Sequence, residues 1–328
     1  MKKNKPNIFI YLIFLLLFGM FFYSCGNNNS KSIIAEQKID YFSRIILIEP
    51  SNGNFTYITD QETQGFSPEW CNKKEKIAFI SDKNNQNELW IYDTNTKNFK
   101  MVNTNNQNVL NFSWAPNSKD IAIEVEKYEN ESNILLYSLE NDSILPITRF
   151  DQKAKLGSWS PDSKWIIYNV ENNIYKSNPR GVDEILLIDN GMNPLWSTNS
   201  EYIAFSIKDN NKMKLKVYII DKNKIIDIEN GTGNIKGFDW AFNGNKLLYI
   251  SDKENNDEIY HYDIKTKKTT RLTNNRVDEN NIVWSEKNKK ILFTSEAHGK
   301  SDIYVMDGNG SSQKIILNSG DDFASLDW

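Results

Sequence analysis

The chain has 328 residues, 39% hydrophobic and 25% charged, with a net charge of −4. Such a composition belongs to a globular protein long enough for one large core or several domains. A mildly acidic chain without a basic block excludes electrostatic recognition of nucleic acid, and two cysteines exclude a disulfide framework.

The first element in chain order is a targeting segment. Lys2, Lys3 and Lys5 precede an apolar run from Ile8 to Phe22, broken in character by Tyr11 and Gly19 alone. As a helix the run would span roughly 22 Å, short of a ~30 Å hydrocarbon core. A secretory signal therefore fits better than a membrane span. Ser24-Cys25 after the run has the order of a lipoprotein signal. The expectation is a signal peptide over 1–25 ending at a lipidated Cys25, a linker over 26–31, and one folded domain over 32–328. Phe22 and Tyr23 depart from the usual residues at such a site, and an uncleaved anchor is the alternative. Removing the three lysines with this segment leaves −7. Cys71 then has no partner and reads as a packing or turn residue.

Three short strands follow, Ser32 to Glu36, Ile45 to Ile48 and Phe55 to Thr59. From Trp70 onward a fixed period takes over. Trp70, Trp114, Trp159, Trp196, Trp240, Trp284 and Trp328 are separated by 44, 45, 37, 44, 44 and 44 residues. A period of this size marks a repeat architecture. After each Trp comes a turn, as in Trp159-Ser160-Pro161-Asp162-Ser163-Lys164, with Pro and Asp where a type I turn uses them. Then come a strand (Lys76 to Ile80), a polar loop (Ser81 to Asn87), a strand (Leu89 to Tyr92), a short turn (Asp93 to Thr96) and a last strand (Phe99 to Val102). Four strands per unit of this length predict an all-β propeller. The 37-residue unit is short because its polar loop shrinks to Glu171-Asn172-Asn173. In each opening strand the residue two before Trp is apolar or small, and the one between is often polar, as in Glu69, Ser113, Ser158, Asp239 and Asp327. Trp is read as a wedge between blades, not as a ligand cage.

The 303 residues after Cys25 divided by a period of about 43 give seven blades. In this arrangement the strand Phe323 to Trp328 joins the three N-terminal strands in one closing blade. If Ser32 to Glu36 is only linker, six blades remain the alternative.

The repeat resembles the TolB-type β-propeller family. Ser251-Asp252-Lys253-Glu254-Asn255-Asn256-Asp257-Glu258-Ile259-Tyr260 with Thr270-Arg271-Leu272-Thr273 carries the likeness, as does Ser295 to Asp307. The resemblance implies a cell-envelope scaffold that docks proteins.

Sites for chemistry are scarce. His261 lies in a strand and His298 in a loop, and neither has a ligand at metal spacing. There is no Gly-x-Ser-x-Gly elbow, no phosphate loop and no Asp-x-Asp-x-Asp-Gly calcium loop. No cofactor, metal or catalysis is expected. Alternating strands place the post-Trp turns and the short Asp-rich turns on one face. The other face carries the longer loops Ser81 to Asn87, Glu126 to Asn133, Ser251 to Asp257 and Ser295 to Asp302. With them lie the connections Asp60 to Gly65, Asp151 to Leu156, Asn274 to Asn281 and Asn318 to Phe323. Asp60, Asp151, Asp278, Asp321 and Asp322 are the candidate partner-binding residues, around the channel mouth on that face. The blander reading takes them as solvated turn residues. The chain is thus expected to be a monomeric, lipid-anchored bacterial envelope protein, outer-membrane and facing periplasm or surface, that binds other envelope proteins. The alternatives are a glycan-binding propeller and a lyase-type propeller. The first lacks loop aromatics beyond Tyr128, and the second lacks histidines.

Overall fold

The computed structural model describes residues 32–128, 131–148, 153–228, 233–285, 289–297 and 299–328. The signal segment, Cys25 and the linker lie outside the described residues, as do Asp151 and His298. The described chain is strands and turns. It opens with β1 (Ile33–Ile39), β2 (Phe42–Ile48) and β3 (Phe55–Tyr57). Blade 1 follows as β4 (Phe66–Trp70), β5 (Lys76–Ser81), β6 (Glu88–Asp93) and β7 (Phe99–Met101). Blade 2 is β8 (Asn108–Trp114), β9 (Asp120–Tyr128), β10 (Glu131–Ser138) and β11 (Ser143–Pro146). Blade 3 is β12 (Ala154–Trp159), β13 (Ile166–Val170), β14 (Asn173–Ser177) and β15 (Ile185–Ile188). Blade 4 is β16 (Met192–Trp196), β17 (Tyr202–Asp209), β18 (Lys212–Ile219) and β19 (Lys224–Asp227). Blade 5 is β20 (Ile235–Trp240), β21 (Lys246–Ser251), β22 (Glu258–Asp263) and β23 (Lys268–Arg271). Blade 6 is β24 (Glu279–Ser285), β25 (Lys290–Ser295), β26 (Asp302–Asp307) and β27 (Lys314–Leu317).

The last strand, β28 (Asp322–Asp327), pairs with β1 in the order β28-β1-β2-β3. This is blade 7, and it shuts a seven-bladed propeller with both ends of the described chain. The first strand runs past the expected Glu36 to Ile39, and Glu36 is buried at 5% exposure. Its carboxylate accepts from the hydroxyls of Ser43 and Ser325 and the backbone N–H of Ser67, so a charge in mid-strand is fully engaged.

The core is divided into seven wedges, one at each junction between neighbouring blades. Strand β5 shows why its sequence is continuously apolar. Ile77 and Phe79 enter the wedge shared with blade 7, while Ala78 and Ile80 enter the wedge shared with blade 2. Both faces of a middle strand are buried, so no apolar–polar alternation survives. The turns after Trp114, Trp159 and Trp196 each close on a left-handed fourth residue, Ser118, Ser163 and Ser200. In the clearest, Ser163 N–H closes on Ser160 O at 2.9 Å and Asp162 accepts from Lys164 N–H at 3.1 Å. Cys71 is a buried turn residue whose Sγ accepts from Lys76 N–H.

One expected loop is largely strand. Residues 126–128 and 131–133 belong to β9 and β10, paired as far as Tyr128 and Glu131. The segment's polar residues mimic a loop in the sequence, but Ser132 and Asn133 are buried. Ser132 Oγ donates to Ala154 O at 2.6 Å, and Asn133 Oδ1 accepts from Thr148 Oγ1 at 3.3 Å.

The tryptophans stitch the inner strands together. The indole N–H groups of Trp114, Trp159 and Trp240 donate to the carbonyls of Glu69, Ser113 and Leu195, at 3.1–3.2 Å. Each acceptor directly precedes the Trp of the blade before. At the same position the side chains of Glu69, Ser158, Asp239 and Asp327 accept the backbone N–H of Trp114, Trp196, Trp284 and Trp70. The last of these, at 2.7 Å, joins blade 7 to blade 1.

Trp240 is 3% exposed and stacks on Tyr202. Trp240→Ala should cost about 3–5 kcal/mol by emptying a wedge; an unchanged midpoint in denaturant melts would refute its role. Desolvation among the inner strands, with Asp327 nearby, pushes the Glu69 carboxyl up to about 8. Folding then favours its protonated form, so the native state loses stability as pH rises from the unfolded value towards 8. Glu69→Gln should match wild type in melting temperature near pH 4 and exceed it increasingly up to pH about 8; a pH-independent difference would contradict this.

Candidate long-loop face

Strand direction sorts the connections into two faces. The described connections on the long-loop face hold 12 Asp or Glu and 5 Lys or Arg. Those on the short-turn face hold 9 and 10. The long-loop face is therefore the acidic one.

Its carboxylates fall into two kinds. Asp278 and Asp322 each stand six residues before a repeat Trp, as do Asn108 and Asn234. All four side chains accept a backbone N–H from the preceding blade, at the end of a loop or the start of its third strand: Asp257 to Asp278 at 2.8 Å, Ser301 to Asp322 at 3.1 Å, Asn87 to Asn108 at 3.1 Å and Met213 to Asn234 at 2.7 Å. Each donor lies 17 residues after its own Trp. A latch at one repeat position thus ties one blade to the next in four of the seven junctions. Asp322 also pairs with Lys300 at 2.7 Å, which holds its carboxyl below the ordinary range. Asp321 accepts from Gln37 Nε2 at 2.8 Å and helps seat the final strand.

Asp60 is exposed and caps its own turn. The backbone N–H of Thr63 lowers its pKa first of all, and that of Glu62 adds to it. Five candidates were chosen from sequence. Four are described, and they sit in the connections into blades 1, 6 and 7. Among the described residues no three of His, Cys, Asp and Glu are grouped to hold an ion.

The densest charge network on this face lies between blades 5 and 6, beside Asp278. Glu258 is fully buried and accepts from Arg271 Nη2 and Asn256 Nδ2, each at 2.8 Å, and from Asn275 N–H at 3.0 Å. Burial opposes its ionisation, but these bonds and one from Thr273 outweigh it and hold the carboxyl below its usual value. Glu279, also fully buried, is pushed up to about 7 by burial, although Asn275 and Ser295 donate to it at 2.7 and 3.0 Å. Asn275 therefore bridges two carboxyls of opposite tendency. Asp257 pairs with Lys236 and raises its pKa. Sequence reading missed Glu258, Glu279 and Arg271, because nothing in their spacing shows that they meet. The latch position had a signal, Asn or Asp six before Trp. His261 is buried in β22 and lowered to about 4 by desolvation, so it is neutral at physiological pH. Tyr41, at the tip of the β1–β2 turn on this face, is fully exposed.

Residues 183–328 match the family model of the TolB beta propeller domain. Residues 124–214 match the model of the dipeptidyl peptidase IV N-terminal region. No curated protein matches the chain in sequence. Among solved structures, TolB from Acinetobacter baumannii superposes with a TM-score of 0.62 at 12% identity, over 90% of this chain and 66% of that one. The β-propeller domain of the Trilobed protease from Pyrococcus furiosus gives 0.68 at 15% identity, over 87% and 93%. Oligogalacturonate lyase from Vibrio parahaemolyticus gives 0.69 at 12% identity, over 84% and 86%. The chain thus spans just under two thirds of the Acinetobacter protein. At these identities the likeness is one of fold. The described chain is a seven-bladed propeller, and the model of the TolB beta propeller domain matches it over residues 183–328.

Proposed function

We propose that this chain is a lipid-anchored cell-envelope scaffold that binds protein partners on its long-loop face and performs no chemistry of its own. The observation that carries the reading is the excess of acids over bases on that face, set on loops that the latches hold rigid. Such a face steers and orients a basic partner surface. The carboxylates not used in latches, such as Asp60, Glu62 and Glu254, supply the outward charge. Asp151 belongs with them by its place in the chain. The match to the TolB propeller model supports an exported envelope setting, and the N-terminal charge, apolar run and Cys25 support a lipid anchor. Buried Glu258 and Glu279 are locked by hydrogen bonds within the junction and serve it as structure.

A chain beginning at Gly26 should capture envelope proteins from extract, and the paired change Glu62→Lys with Glu254→Lys should abolish capture. Glu140→Lys on the other face should leave it intact. Enrichment of glycan without protein, or equal loss with Glu140→Lys, would overturn the scaffold reading. For the anchor, fatty-acid labelling should vanish in Cys25→Ser; equal labelling of the two forms would reject it.

A further inference from the structure

The described chain enters the ring at Ser32, where β1 leaves the short-turn end of blade 7. Only residues 26–31 separate this point from Cys25, a reach of at most ~25 Å when fully extended. Any membrane attachment through the N-terminal segment thus brings the short-turn face to the bilayer. Three features of that face, all on blades 5 to 7, suit such a neighbour.

Phe242, at the tip of the turn after Trp240, is 52% exposed. The same face carries the exposed lysines Lys265, Lys267, Lys268, Lys289 and Lys314 on blades 5 and 6, none of them in an ion pair among the described residues. The acids nearby are engaged: Asp263 accepts Thr266 N–H at 2.8 Å, and Asp307 pairs with Lys290 at 2.7 Å. Between blades 6 and 7 a groove of about 690 Å³ opens on the same face. Leu47, Phe55, Val305, Ile316 and Trp328 form its apolar wall and Lys290 and Lys314 stand among its lining residues, while Glu49 at the rim is engaged by Ser51 Oγ and Asn52 Nδ2 at 3.0 and 3.2 Å.

We infer that this sector of the short-turn face docks on an anionic phospholipid surface. The lysines meet the headgroup phosphates and Phe242 enters the interface. The groove accepts part of an acyl chain whose phosphate sits at Lys314. Positive charge, an exposed aromatic and an apolar slot at one edge are the elements of interfacial binding. Docking there leaves the acidic face turned away from the membrane. It needs no lipid on Cys25 and concerns the face opposite the scaffold site, so it stands or falls separately from the proposed function.

The test uses a chain beginning at Gly26, which keeps every strand of the ring and has no acylation site. It should sediment with vesicles of mixed phosphatidylglycerol and phosphatidylcholine, less so at high salt, and not with phosphatidylcholine alone. Reversing Lys265, Lys268 and Lys314 to Glu should weaken binding at least about tenfold. Phe242→Ser should weaken it several-fold. Reversing Lys83, Lys155 and Lys208, on or towards the long-loop face, makes the same change in net charge and should leave binding unaltered. Both triple variants change exposed side chains, and unchanged thermal melts will establish that each is folded. Equal weakening by both triples, or no preference for phosphatidylglycerol, overturns the inference. So does capture by soluble heparin without capture by the vesicles.

Discussion

The inner strand of a blade has one edge with no sheet partner, and its backbone N–H groups face the channel. An unpaired N–H there would carry a desolvation cost, or offer a template for foreign strands. The ring answers this with side chains from the neighbouring inner strand. Glu69, Ser158, Asp239 and Asp327 each take the N–H of the next Trp, while the indole of that residue type returns to a carbonyl of the previous blade. Both kinds of bond run the same way, from a Trp to the residue before the preceding repeat Trp, and the large ring fills the wedge beyond. Such a seam works only where inner strands nearly touch. At Gly157 a Cβ would lie 2.6 Å from Pro194 O on the next inner strand, so that close approach excludes any side chain.

From this seam the two faces follow. Every inner strand is pinned near its short-turn end by the Trp seam, and four are pinned near the other end by the latch at the Asn or Asp six residues earlier. The two pins sit at opposite ends of the same strand. Between them the strand bulges, as at Ser67 and Asn193, which have positive φ. The bulged N–H groups of Ser67, Leu156 and Asn193 are taken by Glu36, Glu124 and Asn169 from the second strand of the blade before. Polar residues in the middle strands, which would otherwise be liabilities in a core, are thus the partners of a backbone irregularity repeated around the ring.

The architecture was legible in the sequence because Trp recurs at one geometric role, and the period survives loop variation. The closing blade was legible for the same reason: Trp328 has the neighbours of every other repeat Trp. Glu126 to Asn133 was read as loop since strand residues that satisfy buried partners are polar, and composition cannot distinguish them from solvated ones. Asp278 and Asp322 were singled out for their position, yet their carboxylates serve the scaffold first. That difference depends on which N–H group a neighbouring blade presents, a fact of packing across some twenty residues. Glu258 and Glu279 come from different blades and share Asn275, a meeting no local pattern announces.

Division of the acids into latch and outward groups also decides what sort of surface the long-loop face is. A latched carboxylate has its geometry fixed and its charge partly compensated, so it stiffens the face more than it attracts a ligand. Outward charges on loops of unequal length then supply the discrimination. The turn between second and third strands spans six residues in blades 1, 5 and 6 but two in blades 3, 4 and 7. Blade 3 is the lowest, since its tight turn at Glu171-Asn172 joins strands of only five residues. Repeat symmetry makes the ring, and departures from it make one side of the acidic face unlike another. A partner selected by this face must read those departures, because the repeated part presents the same surface seven times over.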